Sequence, residues 1–258
     1  EHGVGNGISM ILFAGIISRG PAAARTLIGW WQMGLAGQSR YFFLVPAVIL
    51  IFIAMIMFIV VMNDAERRIP VSYAKRVVGR KMYGGQNTHI PIKVNMSGVM
   101  PIIFAMSFLS IPNMIASFVN VAEGSFWDKF FKLFSSTGIV YAVLYLVLII
   151  GFNYFYVAIQ YNPIEIANNL RKNNGGIPGI RPGKPTSDYI ARVISRITLV
   201  GALFLGVIAV FPIIFSMITK QNISLGGTSI LIIVGVALET MRTLESQMMM
   251  RHHKGFLE

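Results

Sequence analysis

Apolar and polar positions are segregated along this chain into five long apolar stretches without Asp, Glu, Lys or Arg, separated by polar connections. The stretches are residues 41–63, 99–121, 138–160, 197–219 and 221–238. At about 1.5 Å of rise per helical residue, the first is roughly 34 Å long and exceeds the ~30 Å hydrocarbon core of a bilayer. The pattern predicts an all-α polytopic membrane protein with five transmembrane helices, the last of them reaching about residue 241.

The connections alternate in positive charge. Basic residues fill the connections 64–98 and 161–196: Arg67, Arg68, Lys75, Arg76, Arg80, Lys81 and Lys93 in the first, and Arg171, Lys172, Arg181, Lys184, Arg192 and Arg196 in the second. Connection 122–137 is poorer in net positive charge, and Lys220 stands alone between the last two stretches. The positive-inside rule predicts that both basic loops and the tail 242–258 are cytoplasmic and that residues 1–40 are external. The net charge of +12 and the pI near 10.2 then belong mostly to one face. Topology and attraction to anionic lipid would account for that charge as well as a macromolecular partner would.

The first basic loop contains two segments, 68–74 and 88–94, that alternate apolar and polar residues. This period of two predicts a pair of strands that fold back on each other. Pro70 and Pro91 each lack a ladder donor, which favours exposed, edge-like strands. The tip, 79–85, presents Arg80 and Lys81 between glycines and suits phosphate groups or an acidic protein surface.

The second basic loop is predicted to continue the third span as a helix through residues 162–173 and to break at Gly175-Gly176. Glycines and prolines then impose a tightly turned path around Arg181. Thr186 or Ser187 is predicted to cap a helix that begins near Asp188. Such a held arginine either contacts an external partner or bonds carbonyls of its own loop.

Several site types are not supported by the residues present. The chain has no cysteine, which excludes disulfides and thiolate metal sites, and His252-His253 lacks a partner at metal-ligand spacing. We expect no catalytic site, no metal and no cofactor, and therefore not an enzyme. Because the spans carry no charged side chain, ion-coupled transport is disfavoured. An apolar run over 8–17 predicts a short helix on the outer surface, and Pro46, Pro101, Pro112 and Pro212 predict bent spans.

A set of motifs, in order between these spans, resembles the C-terminal half of the bacterial SecY family, whose members are main subunits of a protein-conducting channel. The motifs include Gly5-Asn6-Gly7-Ile8-Ser9, Tyr73-Ala74-Lys75-Arg76, Pro178-Gly179-Ile180-Arg181-Pro182-Gly183 and Gly226-Gly227-Thr228-Ser229. The resemblance implies that the five spans are the sixth to tenth helices of a ten-helix channel. Spans 99–121 and 138–160 would then belong to its lateral gate, and residues 1–20, with Gly3, Gly5 and Gly7, to the hinge between the halves.

The resemblance also implies roles for single residues. Ile103 and Ile232 match positions of the family's hydrophobic pore ring, although either would otherwise be read as ordinary packing. The cations of the two inner loops match surfaces on which the family docks the SecA motor and the translating ribosome with its rRNA: Arg67, Arg68, Lys75, Arg76, Arg80, Lys81, Arg181 and Lys184.

The function implied by the resemblance is a passive pore in the bacterial plasma membrane for secretory and membrane proteins. SecA or chain elongation would supply the energy. Implied partners are SecE, SecG, SecA, the ribosome, signal sequences, nascent chains and membrane lipids, with SecDF and YidC as further candidates. Two alternatives remain open at this point: a small-solute transporter and a purely structural scaffold.

Overall fold

The computed structural model describes residues 7–73, 76–78, 81–83, 87–118, 127, 138–219 and 227–254. The helices are α1 Gly7–Ile17, α2 Gly20–Leu35, α3 Ser39–Asp64, α4 Met100–Phe118, α5 Ile139–Gln160, α6 Pro163–Lys172, α7 Lys184–Thr219 and α8 Gly227–Lys254. The strands are β1 Glu66–Tyr73, β2 Arg76–Val78, β3 Lys81–Tyr83, β4 Asn87–Lys93 and β5 Gly175–Gly176. The predicted helical membrane fold with a hairpin in the first basic loop is confirmed.

Four helical segments of the described chain are long and apolar enough to cross a membrane: α3, α4, Ile139–Lys172 and α7. Residues 221–226 of the fifth predicted span lie outside the described residues, and α8 begins at Gly227. Three of the four span prolines lie inside helices as predicted, namely Pro46, Pro112 and Pro212. Pro101 is the second residue of α4, where its missing N–H has no intrahelical acceptor, and it therefore does not bend the span.

One compact unit comprises residues 1–61, 112–144 and 207–258. Its α1 agrees with the predicted helix 8–17, but α2 was not predicted. A turn with Gly37 at φ +104° joins α2 to α3, and Trp30 of α2 is buried against Val45 and Val48 of α3. Arg40 donates a hydrogen bond to the Thr219 carbonyl at 3.2 Å, so a cation occupies the C-terminal end of α7.

The other compact unit comprises residues 62–111 and 145–206 and contains a three-stranded antiparallel sheet in the order β4-β1-β5. Ile69 pairs with Ile90 and Pro70 with His89, which confirms the predicted hairpin. The inward face of the sheet buries Ile69 and Val71 in a cluster with residues of α6 and α7. Burial of this apolar face fixes which side of the sheet remains in solvent.

The second basic loop differs from its prediction at two helix ends. The helix after the third span is separate, because Asn162 caps α6: its Oδ1 accepts from the N–H of Ile164 at 3.1 Å and of Glu165 at 3.5 Å. The next helix begins at Lys184, one turn before Asp188, since the Gly183 carbonyl already accepts from the N–H of Thr186. Thr186 and Ser187 are not caps; their hydroxyls donate to the carbonyls of Arg181 and Lys184.

Candidate docking surface and pore residues

A short strand joins the two basic loops into one surface. β5 pairs antiparallel with the end of β1, with Ser72 opposite Gly176 and Tyr73 opposite Gly175, and the Ser72 hydroxyl donates to the Gly176 carbonyl at 3.4 Å. A Cβ at Gly175 would lie 2.8 Å from the Tyr73 ring, so this approach requires glycine. This pairing was not predicted, because two glycines carry no period-two pattern.

Arg181 has a backbone held by hydrogen bonds and an exposed side chain. The N–H of Ile180 donates to the Ile177 carbonyl at 3.0 Å, Gly179 has φ +82°, and Thr186 Oγ1 donates to the Arg181 carbonyl at 2.8 Å. The side chain is exposed, and its guanidinium has no hydrogen bond or ion pair within the described part of the chain. The turn therefore presents this charge outward, as the external-partner alternative requires.

The two basic loops carry further exposed cations. Arg68 forms an ion pair with Glu66, Nε to Oε1 at 2.7 Å, and its side chain remains 70% exposed. A surface ion pair of this kind contributes at most about 1 kcal/mol to stability, so another anion can replace Glu66 as the partner of Arg68. Arg171 and Lys172 are also exposed, in the last turn of α6, and were not predicted to contact a partner. We define the docking surface as the exposed cations Arg67, Arg68, Arg171, Lys172, Arg181 and Lys184.

The remaining predicted docking residues are placed by backbone alone or not described. Arg76 and Lys81 lie in the two-stranded β2-β3 sheet, where Arg76 pairs with Tyr83 and Val78 with Lys81. Lys75 and Arg80 lie outside the described residues, as do Gly3 and Gly5 of the predicted hinge. Gly7 is the first residue of α1.

A connecting segment, residues 94–99, leads from β4 to α4. It is hydrogen-bonded to α3 and α5 directly and to α7 through Asn153. Ser97 donates a hydrogen bond to Asn153 Oδ1 of α5, and Asn153 Nδ2 donates to the Thr198 carbonyl of α7 at 2.9 Å. Asn95 Nδ2 donates to Asn63 Oδ1 of α3 at 2.9 Å. Asn153 is buried with both groups of its amide satisfied, so it links the connecting segment firmly to two helices.

Aromatic contacts join the two helices that the resemblance assigns to a gate. The Phe152 ring of α5 lies 5.9 Å from Phe104 and 6.4 Å from Phe108 of α4, measured between ring centroids. Of the predicted ring residues, Ile103 lies in α4 and Ile232 in α8, and each is partly exposed. They belong to different compact units. Among the described residues, no group of three or more His, Cys, Asp or Glu is placed to hold a metal.

These features define a class: a polytopic helical membrane protein that carries a small basic sheet between its spans. The sequence model of the SecY family matches residues 1–241. The chain is 45% identical over its whole length to the protein translocase subunit SecY of Mycobacterium bovis and 44% identical to that of Thermotoga maritima. The chain belongs to the SecY family. It spans 59% and 57% of the length of these two relatives, respectively.

Solved structures agree in fold. A structure described as that of a protein conducting channel matches with a TM-score of 0.60 at 19% identity, covering 95% of this chain and 60% of that one. A second, from work on the SecY plug domain and the closed state of the translocation channel, matches with a TM-score of 0.61 at 18% identity over the same shares.

Proposed function

We propose that the chain forms the C-terminal half of the central subunit of a protein-conducting channel in the bacterial plasma membrane. The observation that carries this proposal is the alignment of the whole chain with protein translocase subunits at 45% identity. The chain acts as a passive conduit for secretory and membrane proteins and is not an enzyme. SecA or the ribosome supplies the driving force, and SecE and SecG are subunits of the same assembly.

The docking surface is the proposed site for SecA and the ribosome. It is proposed to lie on the cytoplasmic side, together with the rest of loops 64–98 and 161–196 and the C-terminal tail. Its cations are exposed. Arg67 and Arg68 lie on β1, whose inward side chains belong to the apolar cluster, and the others lie on α6, in the following turn and at the start of α7. Phosphates of rRNA and acidic protein side chains are suitable partners for such an array. Arg181 is the principal contact, since its backbone is fixed while its guanidinium is unpaired among the described residues.

The connecting segment supports a route from docking to gating. β4 is paired with β1 along its length and continues into residues 94–99, which lead to α4. A displacement of the sheet would reach α4 along the chain, and it would reach α3 and α5 through the hydrogen bonds of Asn95 and Ser97. Signal sequences and nascent chains would leave between the gate helices α4 and α5 and the other half of the channel.

Ile103 and Ile232 are proposed members of the pore ring, supported by their partly exposed aliphatic side chains on α4 and α8. A narrow aliphatic constriction dewets and blocks ions. Gly3, Gly5 and Gly7 are proposed hinge residues. SecDF and YidC are further proposed partners, and membrane lipids surround the spans.

Charge reversal at the docking surface tests the proposal. With Arg181→Glu in an assembled translocase, we expect at least about a tenfold weaker affinity for SecA, because an attraction becomes a repulsion of the same acidic partner. Surface plasmon resonance on nanodisc-embedded translocase measures the affinity, and secretion of a model preprotein into inverted vesicles measures activity.

Arg25→Glu is the matched control, since Arg25 is an exposed cation on α2, predicted to lie outside. Its SecA affinity and secretion should equal those of the wild type. Wild-type affinity and secretion in Arg181→Glu would reject the docking role, and absence of preprotein transport by the wild-type assembly would reject the channel itself.

A further inference from the structure

A buried amide of α5 bridges the connecting segment to α7. Asn153 Oδ1 accepts a hydrogen bond from the Ser97 hydroxyl, and Asn153 Nδ2 donates to the Thr198 carbonyl at 2.9 Å. All three residues are buried, so neither water nor lipid competes for these hydrogen bonds. Because an amide within an apolar span is unfavourable unless its hydrogen bonds are made, the two bonds of this bridge support each other.

Ser97 is the hydrogen-bonded side chain nearest to the start of α4. Asn95, two residues earlier, is bonded to Asn63 of α3 instead. After Ser97 comes Gly98, which has φ +63° and nothing within 4 Å of an added Cβ. A glycine in open space restrains the chain little, so the direction in which α4 begins depends on how firmly Ser97 is held.

The position of Ile103 follows from the start of α4. The Val99 carbonyl accepts from the N–H of Ile102 at 3.1 Å and of Ile103 at 3.2 Å, which places both residues in the first turn of the helix. Ile102 is fully buried, whereas Ile103 is partly exposed. A displacement of Ser97 is therefore carried through two residues to the turn that bears Ile103.

We propose that Asn153 is a positioning residue for Ile103, the proposed member of the pore ring on α4. Its amide holds Ser97 to α5 and α7, and Ser97 determines where the first turn of α4 begins. Without the bridge, Gly98 allows this turn to take other positions, and Ile103 spends less time at the constriction. The inference rests on the pore-ring role of Ile103 and adds the residue that fixes its place.

Ion leakage through the idle channel tests the proposal. Currents are recorded across planar bilayers that contain the assembled translocase without SecA or preprotein. We expect Asn153→Leu and Ser97→Ala each to raise the current about threefold to tenfold, the factor that one or two hydrogen bonds inside a membrane protein contribute to an equilibrium. SecA affinity should remain that of the wild type, because neither residue belongs to the docking surface.

The double variant Ser97→Ala/Asn153→Leu separates positioning from stability. It leaves neither side chain of the bridge unpaired, so its melting temperature should lie near that of the wild type. Its current should nevertheless equal that of the single variants, because each of them already breaks the same bridge. A purely structural role would instead return the current of the double variant to the wild-type value.

Tyr154→Phe is the matched control in α5. Tyr154 is exposed, and its hydroxyl donates to the Ser195 carbonyl of α7 at 3.2 Å. The variant therefore loses a hydrogen bond between the same two helices without changing the bond to the connecting segment. Its current should equal that of the wild type.

Ile103→Ser distinguishes failure of this inference from failure of the proposed pore ring. A raised current in Ile103→Ser, with wild-type currents in Asn153→Leu and Ser97→Ala or in the double variant, would overturn the inference alone. A raised current in Tyr154→Phe would also overturn it, since any bond between α5 and α7 would then suffice. An unchanged current in Ile103→Ser would reject the pore-ring role and this inference with it.

Discussion

Glycine residues of α7 determine how closely this helix approaches its neighbours. A Cβ at Gly201 would lie 2.5 Å from the Val94 carbonyl oxygen, a backbone atom of the connecting segment. At Gly206 the obstacle is Leu146 Cδ1, the end of a flexible side chain, at 2.3 Å. Gly201 is therefore the less replaceable position, because backbone cannot move aside without shifting the sheet or α7.

Gly201→Ala should lower stability by about 1–3 kcal/mol, the cost of overpacking. The measurement is the apparent melting temperature in detergent, with size-exclusion chromatography used to monitor unfolding. Gly151→Ala is the matched control in α5, where nothing lies within 4 Å of the added Cβ, and it should be neutral or stabilising. Equal melting temperatures for the two variants would show that the close approach to Val94 does not matter.

Single-residue roles were only partly predictable. The sequence showed that Arg181 is held by a rigid turn, and the structure adds that its side chain is exposed. Asn153 was visible only as a polar residue in a span. Its partners, Ser97 and the Thr198 carbonyl, are 56 and 45 positions away, and no local pattern indicates such pairings.

At the scale of elements, the contact of β1 with β5 determines the shape of the docking surface. β5 has two residues, too few for a periodic pattern, so it could not be predicted, whereas the longer β1 and β4 could. Similarly, the start of α7 at Lys184 depends on the Gly183 carbonyl, and the break before α6 depends on the Asn162 cap. Such ends are determined by single hydrogen bonds rather than by periodicity.

Gly175→Val should separate the second basic loop from the sheet, because its side chain would collide with the Tyr73 ring. We expect faster cleavage of this loop by trypsin at Arg171 and Lys172, together with weaker SecA binding. Gly176→Val should resemble the wild type, since no atom lies within 4 Å of its added Cβ. Wild-type cleavage rates in Gly175→Val would show that β5 is not needed to hold the loop.

At the scale of the whole molecule, the fold class followed from composition and charge. Stretches of 18 or more apolar residues have few stable alternatives to membrane helices, and the family motifs placed them within a known architecture. α2 was not predicted because its alternation of small, aromatic and polar residues did not suggest a span. The membership of Ile103 and Ile232 in one ring stays a prediction, since the two residues lie in different compact units and no local pattern links them.

Orientation is tested by cysteine labelling, because the chain has no cysteine of its own. Arg181→Cys should react with a membrane-impermeant maleimide in inverted vesicles but not in intact spheroplasts, and Arg25→Cys should show the opposite pattern. This result follows from the excess of cations in loops 64–98 and 161–196. Labelling of Arg181→Cys from outside would show that the topology is the reverse of the predicted one and that the docking surface is not cytoplasmic.

The pairing of β1 with β5 also has a consequence for biosynthesis. Ser72 and Gly176 are 104 positions apart, and α4 and α5 lie between them. A growing polypeptide therefore exposes β1 and β4 well before the two glycines emerge from the ribosome, and the strand remains unpaired on that edge until both helices have been made. Under the proposed docking role, newly made copies complete this contact only after α4 and α5 have been translated, which delays the engagement of a partner until then.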